Sequence, residues 1–213
     1  DSFESVAWWA KLLYIFALFA LITLVVFIVK LLFSLKGITL TIEDNEVIIK
    51  HADIFKQNGL KLIPFNEYFD TQVDDVIIAH NSLNGIFIDS YVSDIDSLRQ
   101  TILNNVNMKG GAPHLVKGKS KFPLGRIIKY NDYLLLAFTH FDDNNCAHLS
   151  HTDYEKGLIR MWKEISIAYA NMPVFIPLLG SGITRFTDTP HKDNSSLIKC
   201  LLCTLKMSGI HLK

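Results

Sequence analysis

The chain has 213 residues, with 21 basic and 21 acidic side chains and 49% hydrophobic positions. Zero formal charge removes the basic excess expected of a nucleic-acid binder. The hydrophobic residues are unevenly spread: 26 of the 30 positions from Val6 to Leu35 are hydrophobic, and only Lys11 and Lys30 are charged. The remainder has the composition of an ordinary soluble domain, so the chain reads as an apolar segment, 1–36, joined to one globular domain, 37–213. A polytopic transporter is excluded.

Leu12 to Val29 is an 18-residue run without a charge, with Thr23 as its polar member. At about 1.5 Å per residue it makes roughly 27 Å of helix, near the thickness of a bilayer core. Trp8, Trp9 and Tyr14 lie toward one end, as interfacial aromatic residues do. A buried core helix would show a polar face, and a signal peptide would end in a small-residue cleavage site rather than Lys30-Leu-Leu-Phe-Ser-Leu-Lys36. The segment is therefore expected to cross a membrane, as the last helix of a truncated hairpin. Lys30 and Lys36 after the span place the following domain in the cytoplasm by the positive-inside tendency. Three cysteines, an odd number, suit a reducing compartment. Cys200-Leu-Leu-Cys203 has CxxC spacing inside an apolar helical pattern and reads as core.

After Gly37 the pattern changes. Ile38–Glu43 and Glu46–Lys50 are expected to pair as a hairpin, and Leu60–Phe65 and Val76–His80 to form short strands. Ile95–Val106 has helical spacing, Met108–Lys121 reads as a loop, and Arg126–Tyr130 and Tyr133–Thr139 form a strand pair. Thr152 to Glu155 has the spacing of a capping box that opens a helix to about Ala170. Val174–Leu179 is a nearly continuous apolar run of the fully buried strand type. Asp193–Ser208 is a last helix stopped by Gly209, and Ile210-His211-Leu212 begins a final strand. Strands alternating with helices indicate an α/β fold with helices on both faces of the sheet.

The sharpest local feature is Gly180-Ser181-Gly182-Ile183-Thr184-Arg185, directly after that apolar run. Glycines at a strand's C-terminal end let backbone N–H groups approach an anion, and open α/β sheets bind ligands outside these ends. An ordinary strand-to-loop turn fits the same spacing. Gly118-Lys119-Ser120 is not a P-loop, because the required first glycine position is Pro113 and a strand follows. Lys109, Lys117, Lys119, Lys121 and Arg126 form a local basic cluster, either a solvated loop or a phosphate attractant. His140, Asp142, Asp143, Cys146, His148, His151 and Asp153 crowd one loop; they include metal-ligating types, but their spacing matches no defined metal motif. No metal is expected.

The order of elements resembles a macro domain, the α/β/α fold that binds ADP-ribose and its derivatives. Ile48-Ile-Lys-His-Ala-Asp53-Ile54 is similar to the family's early strand ending in Gly-Asp-Ile, with Ala52 in place of the glycine. The resemblance implies that Asp53, with Ile54 beside it, takes the adenine amino group. Leu62-Ile-Pro-Phe-Asn66 resembles the strand ending in an asparagine that contacts the distal ribose. Asn81-Ser-Leu-Asn-Gly85-Ile86-Phe87 stands in the place of the glycine-rich ribose and diphosphate loop, and Phe122-Pro-Leu-Gly125 in that of a short glycine segment. Val174-Phe-Ile-Pro177 through Gly182-Ile183 resembles the final phosphate-loop strand, and is the most specific piece. The likeness covers roughly Ile38 to Ser208 and implies a three-layer α/β/α macro-like domain preceded by a transmembrane helix.

Macro domains that hydrolyse ADP-ribose conjugates use a multi-glycine loop, and here that loop keeps only Gly85. The resemblance therefore implies binding without catalytic residues, with a membrane-tethered ADP-ribosyl hydrolase as the alternative. A membrane segment joined to such a domain looks like the effector of the bacterial Thoeris antiviral defence system. That likeness implies an inner-membrane protein with a cytoplasmic sensor and no cofactor. It also implies a nucleotide signal, histidine-ADP-ribose, made from NAD by a TIR-domain partner. Ligand-induced homo-oligomers would then disrupt the membrane lipid.

Overall fold

The computed structural model describes residues 7–105, 114–116, 119–142, 144–182, 184–188 and 193–212. The chain divides into two compact units, Asp1–Thr41 with Glu46–Ala52, and Ile42–Asn45 with Asp53–Lys213.

In the first unit, α1 runs Trp8–Lys36 and Gly37 follows it with φ +69°. The stretch Trp8–Leu32 is long and apolar enough to cross a membrane, and none of its most apolar window is buried. Side chains all round the helix face outward, among them Phe16, Phe19, Leu21 and Phe27. Two strands, β1 (Ile38–Ile42) and β2 (Asn45–Ile49), form a two-stranded sheet as the alternation predicts, with Ile42 and Asn45 counted in the second unit.

The second unit is the α/β body. β3 (Leu60–Asn66) opens it, and α2 (Leu83–Tyr91) and α3 (Ile95–Asn104) follow. β4 (His114–Val116) and β5 (Lys119–Lys121) pair antiparallel by themselves. β6 (Ile127–Tyr130), β7 (Tyr133–Phe141) and β8 (Ala147–Leu149) precede the long helix α4 (His151–Ala168). β9 (Val174–Phe175), β10 (Arg185–Phe186) and α5 (Asn194–Ser208) complete the unit. The six-stranded sheet has the order β10-β8-β7-β3-β9, with β6 pairing β7.

Period-2 alternation sorts the two faces of this sheet. Ile63 and Phe65 of β3, with Leu135 and Ala137 of β7, pack with Phe87, Ile88, Leu98 and Ile102 of α2 and α3. On the opposite face, Phe138 meets the Tyr154 ring of α4 at 5.9 Å between centroids. Trp162 of α4 donates to Thr204 of α5 at 3.1 Å, a buried bond between the two helices. Arg126 pairs with Glu164 at 3.0 Å and ties the β6 approach to α4. Helices cover both faces, as the alternating pattern implies.

Several local expectations change. Val76–His80 forms no strand, because the Asp74 carboxylate accepts the Val76 and Ile77 N–H groups and closes a turn. The segment Asn81–Phe87, expected as a loop, is mostly the first half of α2, capped by the Ser82 hydroxyl accepting from Gly85. The cap of α4 is Ser150 rather than Thr152, accepting from Asp153 N–H. The apolar run Val174–Leu179 pairs only through Val174 and Phe175, at the sheet edge beside β3, which leaves both strand residues half-buried. Ile210–Leu212 forms no strand. Instead, Asn45 donates to Ile210 C=O at 2.8 Å and accepts from Leu212 N–H at 2.6 Å. Of the expected loop Met108–Lys121, part is the β4–β5 strand pair and the rest lies outside the described residues.

Gly85 shows how closely α2 approaches the preceding turn: a Cβ there would run into the Ala79 carbonyl oxygen. Replacing a helical glycine by alanine gains at most about 1 kcal/mol of propensity, whereas overpacking costs about 1–3 kcal/mol. Gly85→Ala is therefore expected to lower the thermal midpoint of the detergent-solubilised chain, and an unchanged or raised midpoint would contradict the packing described.

Candidate functional site

β3 and β7 run parallel, from Lys61 opposite Tyr133 to Asn66 opposite Thr139, with an irregularity between Phe65 and Asn66. Both strands therefore finish at the same edge, where open α/β sheets expose ligand-binding loops. Three groups of residues meet there.

The first is the Asn66 turn. Asn66 is buried, its side-chain oxygen accepts from the N–H groups of Tyr68 and Asp70, and its amide donates to Asp70 at 3.0 Å. These bonds hold the chain in a tight turn as it leaves β3.

The second group is built on Glu67, the next residue, whose side chain is 1% exposed. Its carboxylate accepts from His140 Nδ1 at 2.5 Å and pairs with Lys121 Nζ at 3.1 Å. Burial pushes this carboxyl up, but the hydrogen bond and charge of His140, then those of Lys121, outweigh it and hold it below the usual carboxylate range. The His140 and His148 rings lie 5.8 Å apart, which follows from their register across β7 and β8.

The third group is the glycine loop. Tyr154, in the first turn of α4, is 1% exposed and its hydroxyl donates to the Leu179 carbonyl at 3.0 Å. Its ring also meets Phe186 edge-on at 5.5 Å. Gly180 has φ +86°, and a Cβ on it would press against Phe186 and Leu197. Ser181 and Gly182 are exposed, with open space around Gly182. Thus Tyr154 suspends the loop beside the first turns of α4 and α5. Burial drives the Tyr154 phenol far above its ordinary range, so it remains a neutral donor.

The residues singled out from sequence are distributed as follows. Gly180, Ser181 and Gly182 form this loop, while Ile183 lies outside the described residues. Thr184 is half-buried, and Arg185 is exposed in β10 opposite His148, with its guanidinium 3.6 Å from Cys146 Sγ. Asp53 and Ile54 sit elsewhere. Asp53 caps a short 3-10 helix, Ile54–Lys56, accepting from Phe55 N–H and pairing with Lys56 at 3.7 Å. Phe55 stacks on Tyr91 at 4.4 Å, and Tyr91 touches Tyr133, where β7 starts. The 7-residue strand β3 separates that end from Asn66, roughly 20 Å at 3.3 Å per residue. Asn81 is exposed just before the α2 cap, Gly85 is packed against the turn, and Ile86 is partly exposed. Phe87 is a correction: it is 0% exposed and packs on Phe65 and Tyr133, so its side chain belongs to the core.

The basic cluster is largely neutralised: Lys119 pairs with Asp70 at 2.9 Å, Lys121 with Glu67 and Arg126 with Glu164. Lys109 and Lys117 lie outside the described residues, as does Asp143. Among the described residues, no three His, Cys, Asp or Glu side chains converge as a metal would require. Sequence reasoning missed Glu67 and Tyr154. An acidic residue directly after a continuous apolar strand was the available signal for Glu67. Asn84 was also missed; its Oδ1 is buried in the first turn of α2 without a hydrogen-bond partner.

Residues 47–213 match the family model described as "Thoeris protein ThsA, Macro domain". The chain belongs to the Thoeris ThsA macro-domain family. It is 42% identical over 199 residues to the Thoeris protein ThsA of Bacillus amyloliquefaciens (strain Y2), an alignment covering 90% of this chain and 66% of that protein. The chain thus spans just under two thirds of that relative's length. Membership in the ThsA macro-domain family agrees with the mixed sheet and its two helical layers.

Because Glu67 is held below its ordinary range in the folded state, the unfolded chain takes up its proton first as pH falls. Its contribution to stability is present above the unfolded carboxylate value and is lost as pH drops through the lower, folded one. Thermal midpoints measured from pH 7 down to pH 3 should therefore fall more steeply for the wild type than for Glu67→Gln. Parallel curves would show that Glu67 is not so linked.

Proposed function

We propose that this chain is a membrane-anchored Thoeris effector in antiviral defence, and that its macro domain binds an ADP-ribose conjugate without turning it over. The observation that carries the reading is the exposed glycine loop at Gly180–Gly182, suspended by Tyr154 at the edge where β3 and β7 end. Backbone N–H groups of such a loop suit a diphosphate, which needs donors rather than a strongly basic surface. Family membership supports the same ligand class, because macro domains bind ADP-ribose derivatives.

In this reading the signal is histidine-ADP-ribose, produced by a TIR-domain NAD-consuming partner. Ligand binding favours a self-associating state of the domain by differential affinity for that state. Association then raises the local concentration of the attached α1 helices, which act on the inner membrane from a cytoplasmic sensor. The uniformly apolar surface of Trp8–Leu32 supports a membrane-spanning role. Leu21→Lys places a charge near the middle of that stretch at a cost of about 2.5–3.5 kcal/mol. It should shift the chain out of the alkali-resistant membrane fraction, and unchanged retention would count against a spanning α1.

The sensor half is tested by calorimetric titration of the full chain in detergent with ADP-ribose and histidine-linked ADP-ribose. Gly182 has open space where a side chain would stand. Gly182→Val should therefore fold with an unchanged thermal midpoint yet bind about tenfold more weakly, by blocking approach to the loop amides. No heat with either compound, or full binding by Gly182→Val, would sink the reading.

One observation favours a second reading, the membrane-tethered ADP-ribosyl hydrolase. His140 is oriented by the buried Glu67 carboxylate, an arrangement that also suits a general base. That reading predicts free ADP-ribose accumulating from a conjugate. Recovery of intact conjugate from the protein after prolonged incubation excludes it.

A further inference from the structure

The Glu67–His140 pair has features that stability alone does not demand. A carboxylate with 1% exposure is costly to bury, and replacing such pairs by apolar residues is often neutral or stabilising. Its geometry instead determines where the imidazole points. Nδ1 of His140 is committed to Glu67, so Nε2 is the ring atom left to face outward, and the side chain is 27% exposed. Toward α4, Nε2 looks at Asp153 Oδ2, 3.9 Å away and beyond hydrogen-bonding distance. That Asp153 oxygen already accepts from Ser150 Oγ at 2.6 Å.

His140 also belongs to the same edge as the glycine loop. Phe138, two residues earlier on the same face of β7, touches the ring of Tyr154, and Tyr154 holds Leu179. Asp153, facing His140, is the residue preceding Tyr154. A ligand whose phosphates lie on Gly180–Gly182 therefore has His140 as a neighbour across the first turn of α4.

We propose that His140 reads a sugar hydroxyl of the bound nucleotide, with Glu67 as its positioning residue. This inference rests on the nucleotide-sensing function proposed above. The charges facing His140 favour a hydroxyl over a phosphate. Glu67 approaches from the end of β3, Asp153 from α4, Lys121 from β5 and the His148 imidazole from β8; Asp142 and Arg185 lie beyond His148. A phosphate only accepts and would meet the Asp153 carboxylate, whereas a hydroxyl both donates and accepts. A hydroxyl can thus answer Nε2 in either protonation state of the ring. The chemistry matches the second ribose, which ADP-ribose has and ADP lacks.

The test compares ADP-ribose with ADP by calorimetry on the full chain in detergent at pH 7. The wild type should prefer ADP-ribose. His140→Ala should reduce that preference about tenfold while leaving ADP affinity unchanged, and the unchanged ADP affinity serves as the folding control. His140→Gln, whose amide stands where Nε2 stood, should restore most of the preference. Glu67→Ala, which removes the acceptor that orients the ring, should lower the preference in the same direction with ADP affinity unchanged, and should lower it no further when His140→Ala is already present.

If His140→Ala weakens both nucleotides equally, or neither, the inference is overturned. Equal wild-type affinity for the two nucleotides also overturns it and leaves the sensor reading standing. If the wild type binds neither, both fall.

Discussion

Parallel pairing of β3 with β7 is the constraint on which the site depends. Because the strands run together from Lys61–Tyr133 to Asn66–Thr139, residues far apart in sequence leave the sheet at one edge. The irregularity at Phe65–Asn66 then lets Glu67 N–H bond to Thr139 C=O at 2.9 Å, and Glu67 reaches His140. Antiparallel pairing would put those ends on opposite sides of the sheet, and neither a Glu67–His140 contact nor a shared loop edge would exist. The first turn of α4 completes the arrangement, since Tyr154 packs on Phe138 below and carries Leu179 above. One aromatic side chain thus couples the core packing of β7 to the placement of a glycine loop.

Charge is distributed at this edge in pairs rather than as a field. The described lysines of the 109–126 segment each meet a carboxylate, and Lys121 and His140 share one. Such a surface has little long-range attraction for a polyanion, in keeping with the zero formal charge of the chain. A small diphosphate is a different matter, because loop amides act at contact distance and need no net charge behind them. The sensing proposal and the bulk neutrality are therefore compatible. The buried pair also ties pH to this edge through the stability contributed by Glu67.

The two halves of the chain obey different physics. Along Trp8–Leu32 the apolar residues surround the helix, and no face is set aside for a protein core. In the α/β body the same residue types are buried along β3 and β7, whose two faces pack against helices, and on the inward sides of those helices. In the proposed mechanism, a signal bound by the second half acts on the first by changing how copies of the chain associate. Such a coupling needs a ligand that binds the associating state better, not a tighter ligand in general.

Local pattern alone located much of this. The apolar segment, the hairpin near residue 44, β3, the β6–β7 pair, α3, α4 and α5 are readable because each depends on periodicity and capping within a few residues. The glycine loop was readable too, since two glycines after an apolar run are a local signal. The segment 81–87 stands in sequence where the resemblance implies a glycine-rich loop, whereas the Ser82 cap and the burial of Phe87 make most of it helix. Val174–Leu179 looked like a central strand because composition cannot distinguish an edge from a centre. The roles of Glu67, His140 and Tyr154 were invisible for a stronger reason. His140 lies 73 positions from Glu67, and Tyr154 lies 25 from Leu179. Such contacts come from strand register and helix docking, which no local pattern of residues encodes.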